Sequence, residues 1–340
     1  MPTFLRENSV LGRETWVLFP LCCAVTLGVV LGTGFSLVWS SLLTLLLPAV
    51  GIAAVFGGYA KYRPDPVIVA MTEALLFLFL IGAPLAILVY PLQSLGFPLR
   101  DAEFAAIDQA MGFDWMAHFA WISAHPAAGK LLSLSYHSCM AQMGVGVIIL
   151  SLTKRFGHLR EFLFLFTATA LVVSIIAAFV PALGAFPFHA PPATMKIGND
   201  PLVGIYHLED VLALRSGTLR TVDMAHINGL VTLPSFHAIF AILLAWSTRG
   251  LRFLFIPSMI LNTIVCISAI AIGGHYLIDI ITGAAIAFAA IYIYQTSSAL
   301  ARWLDGASQL TQNMGNGRPA PSQARAKSGQ CQVRPVLSEL

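Results

Sequence analysis

The stretch Gly273–Gln295, "GGHYLIDIITGAAIAFAAIYIYQ", decides the fold. It is apolar over about the 20 residues that a bilayer-crossing helix needs, and its one charged residue is Asp279. In hydrocarbon every backbone polar group must be bonded within its own segment, so such a run reads as a transmembrane helix. An ionisable group inside that helix is costly and marks function by default. His275 precedes Asp279 by four residues, which places both on one helix face. The carboxylate can then hold one imidazole nitrogen and leave the other directed outward. That is the arrangement of an oriented base or nucleophile.

The whole chain shares the character of this run. Of its 340 residues 57% are hydrophobic and 10% charged, with a mean hydropathy of +0.80, whereas soluble domains carry about 25% charged residues. Its net charge of +3 is scattered in short pairs, which excludes a nucleic-acid partner. Five cysteines without a C-x-x-C pair indicate neither a disulfide framework nor a zinc site.

Eight apolar runs of spanning length are predicted: 15–33, 35–56, 67–90, 129–152, 161–182, 234–248, 252–273 and 275–297. The first lacks an A-x-A cleavage signal and is read as an anchor. Arg6 and Arg13, "KYRP" at 61–64, "KRFGHLR" at 154–160, "TRGLR" at 248–252 and Arg302 all fall on one side if both termini are cytoplasmic. His275 and the loop 183–233 then face the outside. Residues 97–126 alternate apolar and acidic positions at helical spacing and are expected to form a structural helix lying on the outer surface. The stretch 304–340, rich in Gly, Pro, Ser, Gln and Arg, is expected to be a disordered cytoplasmic tail. The expected organisation is an all-α polytopic membrane bundle: two helices in 1–66, a six-helix catalytic core in 67–297, and a tail in 298–340.

A second histidine comes from "TLPSFHAIF", which opens the sixth run. Between His237 and His275 the chain crosses the membrane twice, so both reach the same face. Thr232 or Ser235 can cap that helix start and Pro234 suits its first turn, leaving free N–H groups that favour a phosphate. A phosphate held there and approached by His275 would have His237 beside its leaving oxygen.

The "PSFH" and "HYLID" segments resemble the second and third motifs of the type 2 phosphatidic acid phosphatase superfamily, usually P-S-G-H and S-R-x5-H-x3-D. The likeness covers about residues 67–297. Ser268 matches the serine of the third motif, but Ala269 replaces its arginine and Phe236 replaces the glycine of the second. The absent arginine, the H-Y-x-x-D form and "FPFHAPPA" at 186–193 are similar to the inositol phosphorylceramide synthase branch. This resemblance implies a phosphohistidine on His275, Asp279 as its orienter, His237 as the acid, and transfer of a phosphorylated head group from a phospholipid to a lipid alcohol. No metal or organic cofactor is implied.

The first superfamily motif, K-x6-R-P, has no clear counterpart. Lys61, Arg63 and Pro64 have the wrong spacing and lie on the cytoplasmic side of the predicted topology. The outer loop offers Lys196, Arg215 and Arg220 for the cation that phosphoryl transfer requires. Taken singly, each of the three reads more readily as a solvated loop charge than as a ligand. His137 in the fourth run reads as a substrate contact or as a helix-bridging donor. His189, His207 and His226 are too irregularly spaced for a metal site and read as loop residues. Two rival functions remain at this level: hydrolysis of lipid phosphates or isoprenoid pyrophosphates with water as acceptor, and a non-catalytic lipid-binding or transport protein. The second conflicts with the complete His237, His275 and Asp279 set and with the absence of paired interrupted helices.

Overall fold

The computed structural model describes residues 9–198 and 203–315, with side chains except those of Leu45 and residues 298–315. The chain divides into two units, 1–291 and 292–340. Helices dominate the first: α1 (Gly12–Thr33), α2 (Trp39–Tyr62), α3 (Pro66–Gln93), α4 (Asp101–Ala110), α5 (Trp115–Ala124), α6 (Pro126–His137), α7 (Cys139–Leu152), α8 (Phe156–Phe179), α9 (Ala185–His189), α10 (Leu208–Ser216), α11 (Phe236–Ser247) and α12 (Arg252–Ala271). The last helix, α13 (Leu277–Gly315), continues past the apolar run. Residues 298–315, assigned by composition to the tail, are thus helical backbone, and residues 316–340, with Cys331, lie outside the described residues.

Among the described residues six helices are long and apolar enough to cross a membrane: α1, α2, α3, α8, α12 and the Leu277–Ser297 part of α13. A seventh span results if α6 and α7, which meet at 53°, count as one. The sixth predicted run yields only the 12 residues of α11. At 1.5 Å per residue these reach about 18 Å, short of the ~30 Å hydrocarbon core. Eight full spans are therefore not reached. Large apolar side chains such as Leu31, Leu47 and Phe253 are exposed, as expected of surfaces that face lipid.

Polar groups fix the spans at their ends. Asp65 accepts from the N–H groups of Val67 (2.9 Å) and Ile68 (3.2 Å), with Pro66 opening α3. Glu73, fully buried on α3, takes donors from Ser9 Oγ (2.5 Å), Val10 N (2.7 Å), Leu11 N (3.4 Å) and Trp16 Nε1 (2.9 Å), satisfying the start of α1. Two short strands, β1 (Ser36–Leu37) and β2 (Thr221–Val222), pair in parallel and tie the α1–α2 connection to the loop before "PSFH".

The segment 97–126 departs from its expected role. Instead of one helix lying on the surface it forms α4 and α5, whose Phe104, Trp115, Phe119 and Ile122 are buried in a cluster with Leu132, Ile270 and Tyr276. Its apolar stripe faces protein, and the acids beside that stripe reach the functional loop.

Candidate active site

Between α12 and α13 the chain must turn within five residues and present His275. Gly274 makes the turn at φ +69°, where a Cβ would lie 2.7 Å from the Gly204 carbonyl oxygen, so only glycine fits. The loop is then pinned on both sides. Gly204 N–H donates to Ile272 O (2.9 Å), Ala185 N–H to Gly274 O (2.7 Å), and His275 N–H to Ala269 O (3.2 Å).

His275 is 4% exposed and Asp279 is fully buried. One carboxylate oxygen, Asp279 Oδ2, lies 3.1 Å from His275 Nδ1 and also accepts the Tyr276 N–H at 2.9 Å. The other, Oδ1, has no partner among the described residues. With Nδ1 held, His275 Nε2 points to Ser235 Oγ at 3.4 Å. Burial pushes the His275 imidazole down from 6.5 to about 4, opposed by the backbone of Thr232. The ring is therefore neutral near pH 7.

Ser235 caps α11, its Oγ accepting from Ala238 N–H at 3.4 Å. Its own N–H donates to the Asp279 carbonyl at 2.9 Å, joining the "PSFH" and "HYLID" segments through backbone. Gly283 permits this approach, since a Cβ there would lie 2.5 Å from Ser235 O. Among the described residues the N–H groups of Phe236 and His237 have no acceptor. Two free donors at a helix start, a hydroxyl and a neutral imidazole thus converge, which suits a phosphoryl group. The His237 ring lies 6.1 Å from that of His275, centroid to centroid, and rests on Tyr136 at 4.3 Å.

Three residues that sequence reasoning passed over hold the His275 loop in place. Asp108 of α4 accepts from Leu277 N–H (2.7 Å) and Ile278 N–H (2.9 Å), capping α13 from outside. Asp101 accepts from Tyr276 Oη (3.0 Å), Leu183 N–H (3.0 Å) and Gly184 N–H (2.9 Å). Trp115 Nε1 donates to the His275 carbonyl at 3.2 Å. Burial raises the Asp108 carboxyl against the pull of its two N–H donors. Burial, and then Asp101, push the Tyr276 phenol well up. The acids interleaved in 97–126 were the available signal, but spacing alone does not reveal a partner some 170 residues away.

His275, Asp279, Ser235 and His237 come together. The remaining candidates have other surroundings. His137 is exposed at the end of α6, its Nδ1 2.8 Å from Ser133 O, close to Tyr206. Lys196 is exposed, and its backbone N–H donates to Ser123 Oγ. Arg215 closes α10 with a buried, unpartnered Nη1. Arg220 bonds Ser94 Oγ at 3.1 Å and lies over Phe35. Among the described residues none of these three cations bonds to the four clustered side chains. Ala269, at the place of the motif arginine, is fully buried, and Phe236 packs against Phe166. His189 stacks on Trp115, His207 meets Leu183 O at 2.6 Å, and His226 pairs with Asp223, so the loop histidines occupy three separate places.

The family model of the PAP2 superfamily matches residues 102–293, which takes in α4 after Asp101, α5, and His275, Asp279, Ser235 and His237. The chain belongs to the PAP2 superfamily. Membership makes it a phosphatase or phosphotransferase of phosphorylated lipids in a membrane. The match begins at Ala102, so α1, α2 and α3 lie outside it, whereas the motifs suggested a likeness from residue 67. No curated protein and no solved structure matches the chain.

Proposed function

We propose that this PAP2 protein transfers a phosphorylated head group from a phospholipid to a lipid alcohol through a phosphohistidine on His275, as an inositol phosphorylceramide synthase-like enzyme. The observation that carries the reading is the orientation of His275, with Nδ1 on buried Asp279 and Nε2 turned to Ser235 and the open start of α11. Nε2 attacks phosphorus while the bond to the lipid alkoxide breaks, and His237 gives that alkoxide a proton. Asp279 fixes the attacking tautomer and balances the positive charge that forms on the ring. The acceptor alcohol then loses its proton to His237 and attacks the phosphohistidine, which restores both histidines.

Phosphate oxygens are met by the Phe236 and His237 N–H groups and the Ser235 hydroxyl, with Lys196, Arg215 or Arg220 as the cation that completes the set. His137 borders the substrate path. The reaction faces the extracytoplasmic side with both termini cytoplasmic, a topology supported by the "KRFGHLR" and "TRGLR" clusters. Arg252 and Ala271 stand at opposite ends of α12, so those clusters and His275 are separated by a span.

The test incubates purified protein with phospholipid labelled in its head group, with and without a long-chain lipid alcohol. Label moving into a new lipid only when the alcohol is present supports the proposal. Release of water-soluble head-group phosphate regardless of alcohol assigns water as acceptor, and the absence of any turnover with retained lipid binding removes the enzyme. Impermeant thiol labelling of cysteines placed at 200 and 250 tests the topology, and labelling at 250 alone in intact cells inverts it.

A further inference from the structure

A histidine that gives a proton to a departing alkoxide does so as the imidazolium, and the surroundings of His237 offer one group suited to a cation. The titratable groups that face it are His275 from the α12–α13 loop and Tyr136 and His137 from the end of α6. Cys139 and Tyr206 stand behind Tyr136. From α8, Phe166 packs against the adjacent Phe236. No carboxylate is among these groups in the described residues, and the bonded oxygen of Asp279 serves His275 Nδ1 and Tyr276 N–H. Burial first, and then the neighbouring histidines, oppose a positive charge on His237. Tyr136 does not: its ring lies under the imidazole at 4.3 Å with 23° between planes, within the ~6 Å over which an aromatic face attracts a cation.

The placement of Tyr136 is built into the fold. The 53° break between α6 and α7 falls directly after His137 and ends α6 beside the start of α11. Gly273 leaves space for the same ring, since a Cβ there would lie 3.1 Å from Tyr136 Cε2. The broken helix, the capped start of α11 and the His275 loop thus meet at one phenol ring. We infer that Tyr136 is a positioning residue whose ring face holds His237 in place and favours its protonated form during leaving-group departure. This inference rests on the reading of His237 as general acid.

The experiment measures kcat against pH for a phospholipid, whose leaving group is poor, and for an aryl phosphate diester. In Tyr136→Leu the basic limb of the phospholipid profile should move down by about one pH unit, the size expected for losing a desolvated cation–π contact. Above that limb turnover should fall about tenfold, while the aryl substrate changes little. Tyr136→Phe, which keeps the ring, should restore the wild-type limb. An unmoved limb in the Leu variant overturns the inference, as does a Phe variant that behaves like Leu. Should the Leu protein fail to fold, phenylalanines carrying increasing numbers of fluorines at 136 keep the shape and weaken the ring face. The limb should then fall stepwise, and a flat series overturns the inference. Separately, equal losses on both substrates in His237→Ala would remove the general-acid reading itself, whatever the Tyr136 series gives.

Discussion

Among the described residues two carboxylates, Glu73 and Asp279, are wholly buried, and they are used differently. Glu73 receives four donors, which occupy both its oxygens and close the start of α1. Asp279 receives Tyr276 N–H and His275 Nδ1 on one oxygen, while the other has no partner among the described residues. A buried acceptor left unmatched costs free energy, about 1–3 kcal/mol for an ordinary group and more for a charged one. A fully satisfied carboxylate is what a structural cap looks like. A half-satisfied one, aimed at an imidazole, fits a group kept for a charge that develops only during reaction.

The comparison is broken most severely at the imidazole. His275→Gln keeps a polar side chain but removes the proposed nucleophile, and turnover should fall by about 10⁴-fold or more. An acid-labile, alkali-stable phosphate trapped by rapid quenching of the wild type should vanish with it. Comparable residual activity in the variant would place the covalent step elsewhere.

Paired substitutions then set the two carboxylates against each other. Asp279→Asn should lose on the order of 10²–10⁴-fold in turnover with thermal stability in detergent largely kept. Glu73→Gln should do the reverse, losing about 1–3 kcal/mol of stability through its unmatched donors while turnover per folded molecule stays near normal. Matching behaviour of the two variants would erase the distinction.

His237→Ala sharpens the chemical side. A positioned acid contributes ~10²–10⁴-fold, so phospholipid turnover should fall by that much and an aryl diester by far less.

The smallest effect is in pH. His275 is held neutral in the folded protein down to about pH 4, while the unfolded chain protonates it near 6.5. Between these values the unfolded state binds more protons, so stability falls as pH drops through the window and levels off below it. His275→Gln should flatten that part of the pH–stability curve. The acid limb of kcat/KM in the wild type should likewise sit near pH 4 and not near 6.5. A limb near 6.5 would show an imidazole in contact with water.

Much of this was legible because it is local. Hydropathy places a helix at each of the eight runs, since the bilayer constrains length and polarity within a single segment. The spacing of four between His275 and Asp279, and the serine before a helix start at Ser235, are likewise short-range facts that survive into the structure. What was hidden is long-range or sterically subtle. An amphipathic stripe over 97–126 is the same pattern whether it faces lipid or protein, so neither the burial of Trp115 nor the reach of Asp108 could be read from it. The break after His137 contains neither proline nor glycine. Ser138, whose Oγ bonds back to Ser135 O, stands there instead, and hydropathy reads straight through it. Lys196, Arg215 and Arg220 share a loop in sequence but are drawn to different neighbours in space.

The pairing of β1 with β2 bears on how the chain is assembled during synthesis. Ser36 Oγ meets Thr221 Oγ1 at 2.7 Å, and 185 residues separate them. At about 5–20 residues per second, a ribosome needs roughly 10–40 s to supply the second partner after the first. The cap on Glu73 closes far sooner, since Ser9 and Trp16 need only wait for the third helix. The first helices are therefore seated early at one end and left untied at the other until the segment leading into Ser235 has emerged. The latch that completes the amino-terminal hairpin is thus delivered together with the segment that leads into Ser235, before the part of the chain that carries His275 and Asp279 has emerged.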